Sequence, residues 1–152
     1  MKELDKLLSK LESKISYQEY MNPTISKASV GWHIEHSLLT LNSIITGLAA
    51  SDPKKYKRRF DIRKTVVMLL GKFPRGRIRA PKTVQPTVAF NADTLHEHVL
   101  LLQERVKTLD SLSGDHFFVH PFLGDFKLKP GIRFMAIHTN HHLRIIEDII
   151  RS

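Results

Sequence analysis

The chain has 152 residues, 41% hydrophobic and 26% charged, which suits a single globular domain over 1–152 with its own core and excludes wholesale disorder. Cysteine is absent, so disulfides, thiolate zinc sites, iron–sulfur clusters and a protein-supplied catalytic thiol are excluded, and nine histidines become the pool of metal ligands. The net charge of +9 is local: between Lys54 and Lys82 twelve basic residues stand against one acid, Asp61, a surplus larger than that of the whole chain.

Leu4, Leu7, Leu8, Leu11 and Ile15 recur with helical spacing and predict an amphipathic first helix, stopped by Asn22-Pro23. The leading Met1-Lys2-Glu3-Leu4-Asp5-Lys6 has none of the sections of a secretion signal. A second helix is predicted from an N-cap at Ser29 to about Ala50, ahead of Ser51-Asp52-Pro53. It is apolar on several sides, with Leu38, Leu41 and Ile45 opposite Trp32 and Leu39, the pattern of a central helix. Its most apolar stretch, Ser37 to Ala50, is interrupted by Thr40, Asn42, Ser43 and Thr46 and is too short to span a bilayer. A soluble cytoplasmic protein with no membrane partner is expected.

Residues 51–90 form a long basic connection with one short helix expected over Asp61–Lys72, built on Ile62, Val66, Val67, Leu69 and Leu70. Thr83 to Phe90 contains Pro86 and is expected to be an edge strand or an extended loop. The third long helix starts after Asn91 or Asp93 and carries Leu95, Val99, Leu102, Val106 and Leu109 at 4-3-4-3 spacing. Residues 111–130, with Gly114, His120-Pro121, Gly124 and Pro130, read as turns. The last helix starts near Gly131 and runs to the C-terminus on a stripe of Phe134, Met135, His138, His142, Ile145 and Ile149. The expected fold is all-α: a four-helix bundle with long crossover connections and one short extra helix.

The chemistry-bearing pattern is His138-Thr139-Asn140-His141-His142. His138 and His142 lie one turn apart on the inward stripe and can offer two imidazoles to one ion, while His141 is rotated by about 100° and is a candidate for lining the pocket. Helix two carries Trp32-His33-Ile34-Glu35-His36, with His36 on a face shared with Trp32, Leu39, Thr40 and Ser43. Spacing leaves both His33 and His36 eligible as a third ligand, with Trp32 as a pocket wall. His98, beside the Leu95/Val99 stripe, and His120, a cap or gate ahead of the last helix, complete the pocket-lining candidates. No catalytic acid or base stands out among Glu35, Asp93 and Glu97.

The run Ser29-Val30-Gly31-Trp32-His33-Ile34-Glu35-His36-Ser37-Leu38, paired with His138-x-x-x-His142-Leu143-Arg144-Ile145-Ile146, resembles the DinB/YfiT-like superfamily. His120-Pro121-Phe122-Leu123-Gly124 with His141-His142-Leu143-Arg144 is similar to a bacterial subgroup of DinB-like proteins. The resemblance covers the helix order along most of the chain, and its specific motifs sit in helices two and four. It implies a DinB-like four-helix bundle in which His36, seven residues after Ser29, joins His138 and His142 around a divalent ion. Zinc or nickel leads, with iron and manganese also compatible with imidazole ligands. It further implies a metal-dependent transferase using a low-molecular-weight thiol cosubstrate, or a hydrolase, acting on a small-molecule substrate. A homodimer is expected.

The basic segment offers a different class of function. Arg75-Gly76-Arg77-Ile78-Arg79 alternates, so an extended chain presents three guanidiniums on one side as an anion, polyanion or nucleic-acid contact. The remaining alternative is a homodimer that holds metal without turnover.

Overall fold

The computed structural model describes residues 2–58, 61–73 and 81–152. Helix α1 (Lys2–Glu12) buries Leu4, Leu7, Leu8 and Leu11, and Glu3 and Asp5 in its first turn and Lys10 in its last complement the helix dipole. It ends well before Asn22-Pro23. The Ser13 hydroxyl donates to the Lys10 carbonyl and the Lys14 N–H donates to the Leu11 carbonyl, tightening the chain into a 3-10 turn at Ile15–Tyr17. Ile15 still reaches the core from that turn.

Helix α2 (Val30–Ala50) starts as predicted, with the Ser29 side chain accepting from the Trp32 N–H. Its first turn is also tied to the preceding loop, because the Val30 N–H donates to Tyr20 and the Gly31 N–H to Gln18. A Cβ at Gly31 would stand 2.5 Å from Phe90 Cε2 and 3.1 Å from both Cβ and the carbonyl oxygen of Gln18. Glycine therefore sets how closely α2 sits against two loops, and with it the placement of His33 and His36.

Helix α3 (Ile62–Leu70) is capped by Asp61, whose carboxylate accepts from the Arg63 and Lys64 N–H groups, and ends at Gly71 with φ +60°. It buries Val67, whereas Ile62, Val66, Leu69 and Leu70 are exposed. Of the two expectations for Thr83–Phe90 the loop holds and the edge strand does not: a 3-10 turn at Lys82–Val84 buries Val84 and leads into irregular chain that leaves Val88 exposed. Helix α4 (Ala92–Lys107) opens on a reciprocal capping box between Asn91 and Thr94 and buries Leu95, Val99, Leu102 and Val106, as their spacing predicts.

The all-α expectation needs one correction. Residues 117–127 form an antiparallel hairpin, β1 (Phe117–His120) with β2 (Gly124–Lys127), in which Phe118 faces Phe126 and His120 faces Gly124. The strands are too short to show a period, and the glycine that marks a turn is also the one at φ +72° that lets the hairpin close. Helix α5 (Leu128–Arg151) begins ahead of Gly131, with Pro130 in its first turn, where a missing N–H leaves no bond unmade.

The layout is mostly helical. α2 packs against α4 and α5, α1 packs against the same two helices, and the hairpin lies on α2 and α5. Leucines and isoleucines of α1, α2, α4 and α5 form the common core, joined by Phe118, Phe126 and Phe134. Among the described residues no helix is long and apolar enough to cross a membrane. Replacing Gly31 with Ala forces Phe90 and the Gln18 backbone apart and is expected to destabilise the chain by about 1–3 kcal/mol, read from urea unfolding. An unchanged midpoint would contradict the close approach described above.

Candidate metal centre

The contact between α2 and α5 brings His36 to His138 and His142. One ring nitrogen from each lies within 4.8 Å of the others. Ring centroids are 4.6 Å apart for His36–His142 and His138–His142, and 5.1 Å for His36–His138. His36 and His142 are buried, and His138 is half-buried with an enclosed Nδ1 that has no hydrogen-bond partner among the described residues.

The surroundings orient two of the three rings. His36 Nδ1 is 2.7 Å from the Val84 carbonyl oxygen. A carbonyl only accepts, so His36 Nδ1 carries the proton and Nε2 keeps a lone pair. Trp32 stacks on His36 at 5.0 Å between centroids, with the ring planes 16° apart. His142 Nδ1 is 3.0 Å from His33 Nδ1, and His33 Nε2 is 2.9 Å from Ser26 Oγ. His33 is thus a partner of a ligand candidate, and His36 is the third member of the cluster. Phe134 stacks on His138, and Phe73 meets His138 and His141 edge-on. Beside Phe73 lies a small cavity of about 120 Å³ lined by Gly71, Lys72, Phe73, Ile137, His141 and Arg144.

Burial is the first cause of neutrality in these rings. It holds His138 and His142 well below the ordinary imidazole range, with repulsion from neighbouring histidines acting in the same direction. Burial, then His36 and His141, brings His33 down to about 4, and burial lowers His36 against the opposing pull of the Val84 carbonyl. Neutral imidazoles have the lone pairs that a cation needs. Three such donors fit a divalent transition-metal ion, and the enclosed Nδ1 of His138 is the kind of orphaned polar atom that a bound ion or water accounts for.

The other expected pocket residues divide. His141 packs against His142 and Phe73 at the edge of the cluster. His98 is engaged elsewhere: its Nδ1 lies 3.0 Å from the Glu35 carboxylate, linking α4 to α2. His120 is a latch for the hairpin, its Nδ1 accepting from the Phe122 and Leu123 N–H groups and its ring lying 5.1 Å from Phe134. Arg75, Arg77 and Arg79 lie outside the described residues. Of the remaining basic segment, Lys64 donates to the Asp125 carbonyl and sits over the Phe126 ring, and the Lys57 N–H donates to the Asp125 carboxylate. Both contacts fasten the segment to the hairpin. Sequence reasoning missed Ser26, Phe73 and Val84; the contribution of Val84 comes from its backbone and leaves no side-chain signal.

No family model, curated protein or solved structure matches the chain. What the centre can do follows from its own donor set.

The neutral rings also impose a pH dependence. His33 and His120 have folded pKa values of about 4 and His36, His138 and His142 are lowered as well, against 6.5 for an unperturbed imidazole. Unfolded chains bind protons below pH 6.5 that the fold refuses, so this stability is present above pH 6.5 and is lost as the pH falls toward 4. Each refused proton costs about 1.4 kcal/mol per pH unit. Urea unfolding of the metal-free chain should show a clear loss of stability from pH 7 to pH 5, a window largely above carboxylate titration. A flat profile would count against the neutral cluster.

Proposed function

We propose that this chain is a DinB-like four-helix-bundle protein that binds one divalent ion through His36, His138 and His142 and uses it in a metal-dependent reaction on a small molecule. The reaction is a transfer employing a low-molecular-weight thiol or a hydrolysis. The supporting observation is convergence: three imidazole nitrogens from α2 and α5 lie within 4.8 Å of one another. A three-nitrogen site leaves open positions on a cation and supplies Lewis acidity toward a substrate oxygen or sulfur. Zinc and nickel suit the donors best.

The chain's own residues do the rest. Val84 holds one ring nitrogen of His36 and His33 holds one of His142, leaving the other nitrogen of each for an ion, and Trp32, Phe73 and Phe134 pack against the rings. Lys72 and Arg144 flank the small cavity beside Phe73, which favours a substrate group of a few heavy atoms with negative charge. With no cysteine in the sequence, any thiol in the reaction arrives from outside. The exposed Ile62, Val66, Leu69 and Leu70 on α3 support self-association as a homodimer.

Elemental analysis of untagged protein purified without added metal should find about one divalent ion per chain. The paired substitutions His138→Ala and His142→Ala should reduce it to background while circular dichroism keeps its helical signature. Wild-type protein that takes up no zinc or nickel after reconstitution would end this reading.

A further inference from the structure

His36 and His142 are oriented by partners of different chemical kinds. His36 Nδ1 faces the Val84 carbonyl, which has lone pairs only, so its tautomer is fixed. His142 Nδ1 faces another imidazole nitrogen, His33 Nδ1, at 3.0 Å, and His33 Nε2 faces the Ser26 hydroxyl at 2.9 Å. Both rings are buried, His33 at 5% and His142 at 8% exposure, so each contact needs one donor and one acceptor. Ser26 Oγ is anchored by accepting from the Ala28 N–H at 3.1 Å. That bond leaves the hydroxyl with a proton and a lone pair, and a rotation brings one or the other to His33.

Neutral rings in such a chain can be ordered in two directions. When Ser26 donates inward, His33 carries its proton on Nδ1 and gives it to His142 Nδ1. His142 then bears its own proton on Nε2, and the nitrogen needed at the cluster has no lone pair to offer. When Ser26 accepts, His33 is the Nε2–H tautomer, its Nδ1 accepts from His142 Nδ1–H, and His142 Nε2 is free to bind a cation.

We propose that Ser26 and His33 are positioning residues that set the tautomer of His142, with Ser26 accepting, and that this chain tunes the affinity of the centre for a divalent ion. The inference rests on His142 being a ligand. His33 acts through His142 and does not itself contact the ion. Removing an outer partner of this kind costs about 10–100-fold in metal affinity.

The test uses zinc, a chromophoric chelator as competitor, and two substitutions of His33. His33→Gln keeps a carbonyl oxygen that can accept from His142 Nδ1–H, and His33→Leu fills the space with apolar atoms and accepts nothing. The expected result is an affinity about 10–100-fold weaker for His33→Leu and within a few-fold of wild type for His33→Gln. A merely space-filling role predicts the reverse order, and equal affinity of wild type and His33→Leu overturns the proposal. Long-range ¹H–¹⁵N correlation spectra of the wild-type protein read the tautomers directly, whether or not a variant folds. In both metal-free and zinc-loaded protein His33 should appear as Nε2–H and His142 as Nδ1–H; His33 as Nδ1–H overturns the chain. If the wild type binds no zinc, the functional reading falls, and the metal-free tautomers still decide the direction of the chain.

Discussion

Imidazoles can share so small a space only if they are uncharged, and much of this molecule serves that condition. Two imidazolium ions at ring separations below 5.5 Å would repel strongly in a buried setting, and each would lose its hydration as well. The fold removes the problem by burying the rings until protonation is unfavourable. The same burial creates a demand for hydrogen-bond partners, which Val84, His33 and Ser26 meet at two rings. At His138 the demand goes unmet at Nδ1 among the described residues. A centre of neutral imidazoles whose ring nitrogens converge within 4.8 Å is suited to a cation.

The scaffold around it follows from packing at two points. The start of α2 is fixed by glycine at a contact that leaves no room for a side chain, and the hairpin closes the other side through Phe118, Phe126 and Phe134. The basic segment, conspicuous as charge, is in its described part also a structural strap: Asp61 caps α3 and Asp125 receives both Lys57 and Lys64.

Much of this was legible in the residues. The stripes of α1, α4 and α5 name core positions that are buried, and the Ser29 cap marks where α2 begins, while of Asn91 and Asp93 it is Asn91 that caps α4. His138 and His142 were readable because a spacing of four stacks them on an inward face. Spacing alone leaves the choice between His33 and His36 open, since both lie near that face and what separates them is the position of α5 in space; the resemblance implied His36, which is the histidine found in the cluster. The hairpin leaves no signal in the sequence because four-residue strands carry too little periodicity, and its Gly124 signals a turn of any kind. His98 looked available until Glu35, on a different helix, took its nitrogen. Pairings across sixty residues or more belong to the fold and leave no trace in local spacing.

The bond from His36 to the Val84 carbonyl has an evolutionary side. Because the acceptor is main chain, any residue at position 84 supplies it, and substitutions there can drift so long as the small buried site tolerates the new side chain. A scan of side chains would therefore pass over one of the groups that orients the centre. Sensitivity moves instead to the length and path of residues 81–91, the stretch that runs from the 3-10 turn to the cap of α4. In related chains, a one-residue insertion or deletion in that loop should disturb the histidine cluster more than most point changes at its surface, although no metal-ligand candidate lies within it.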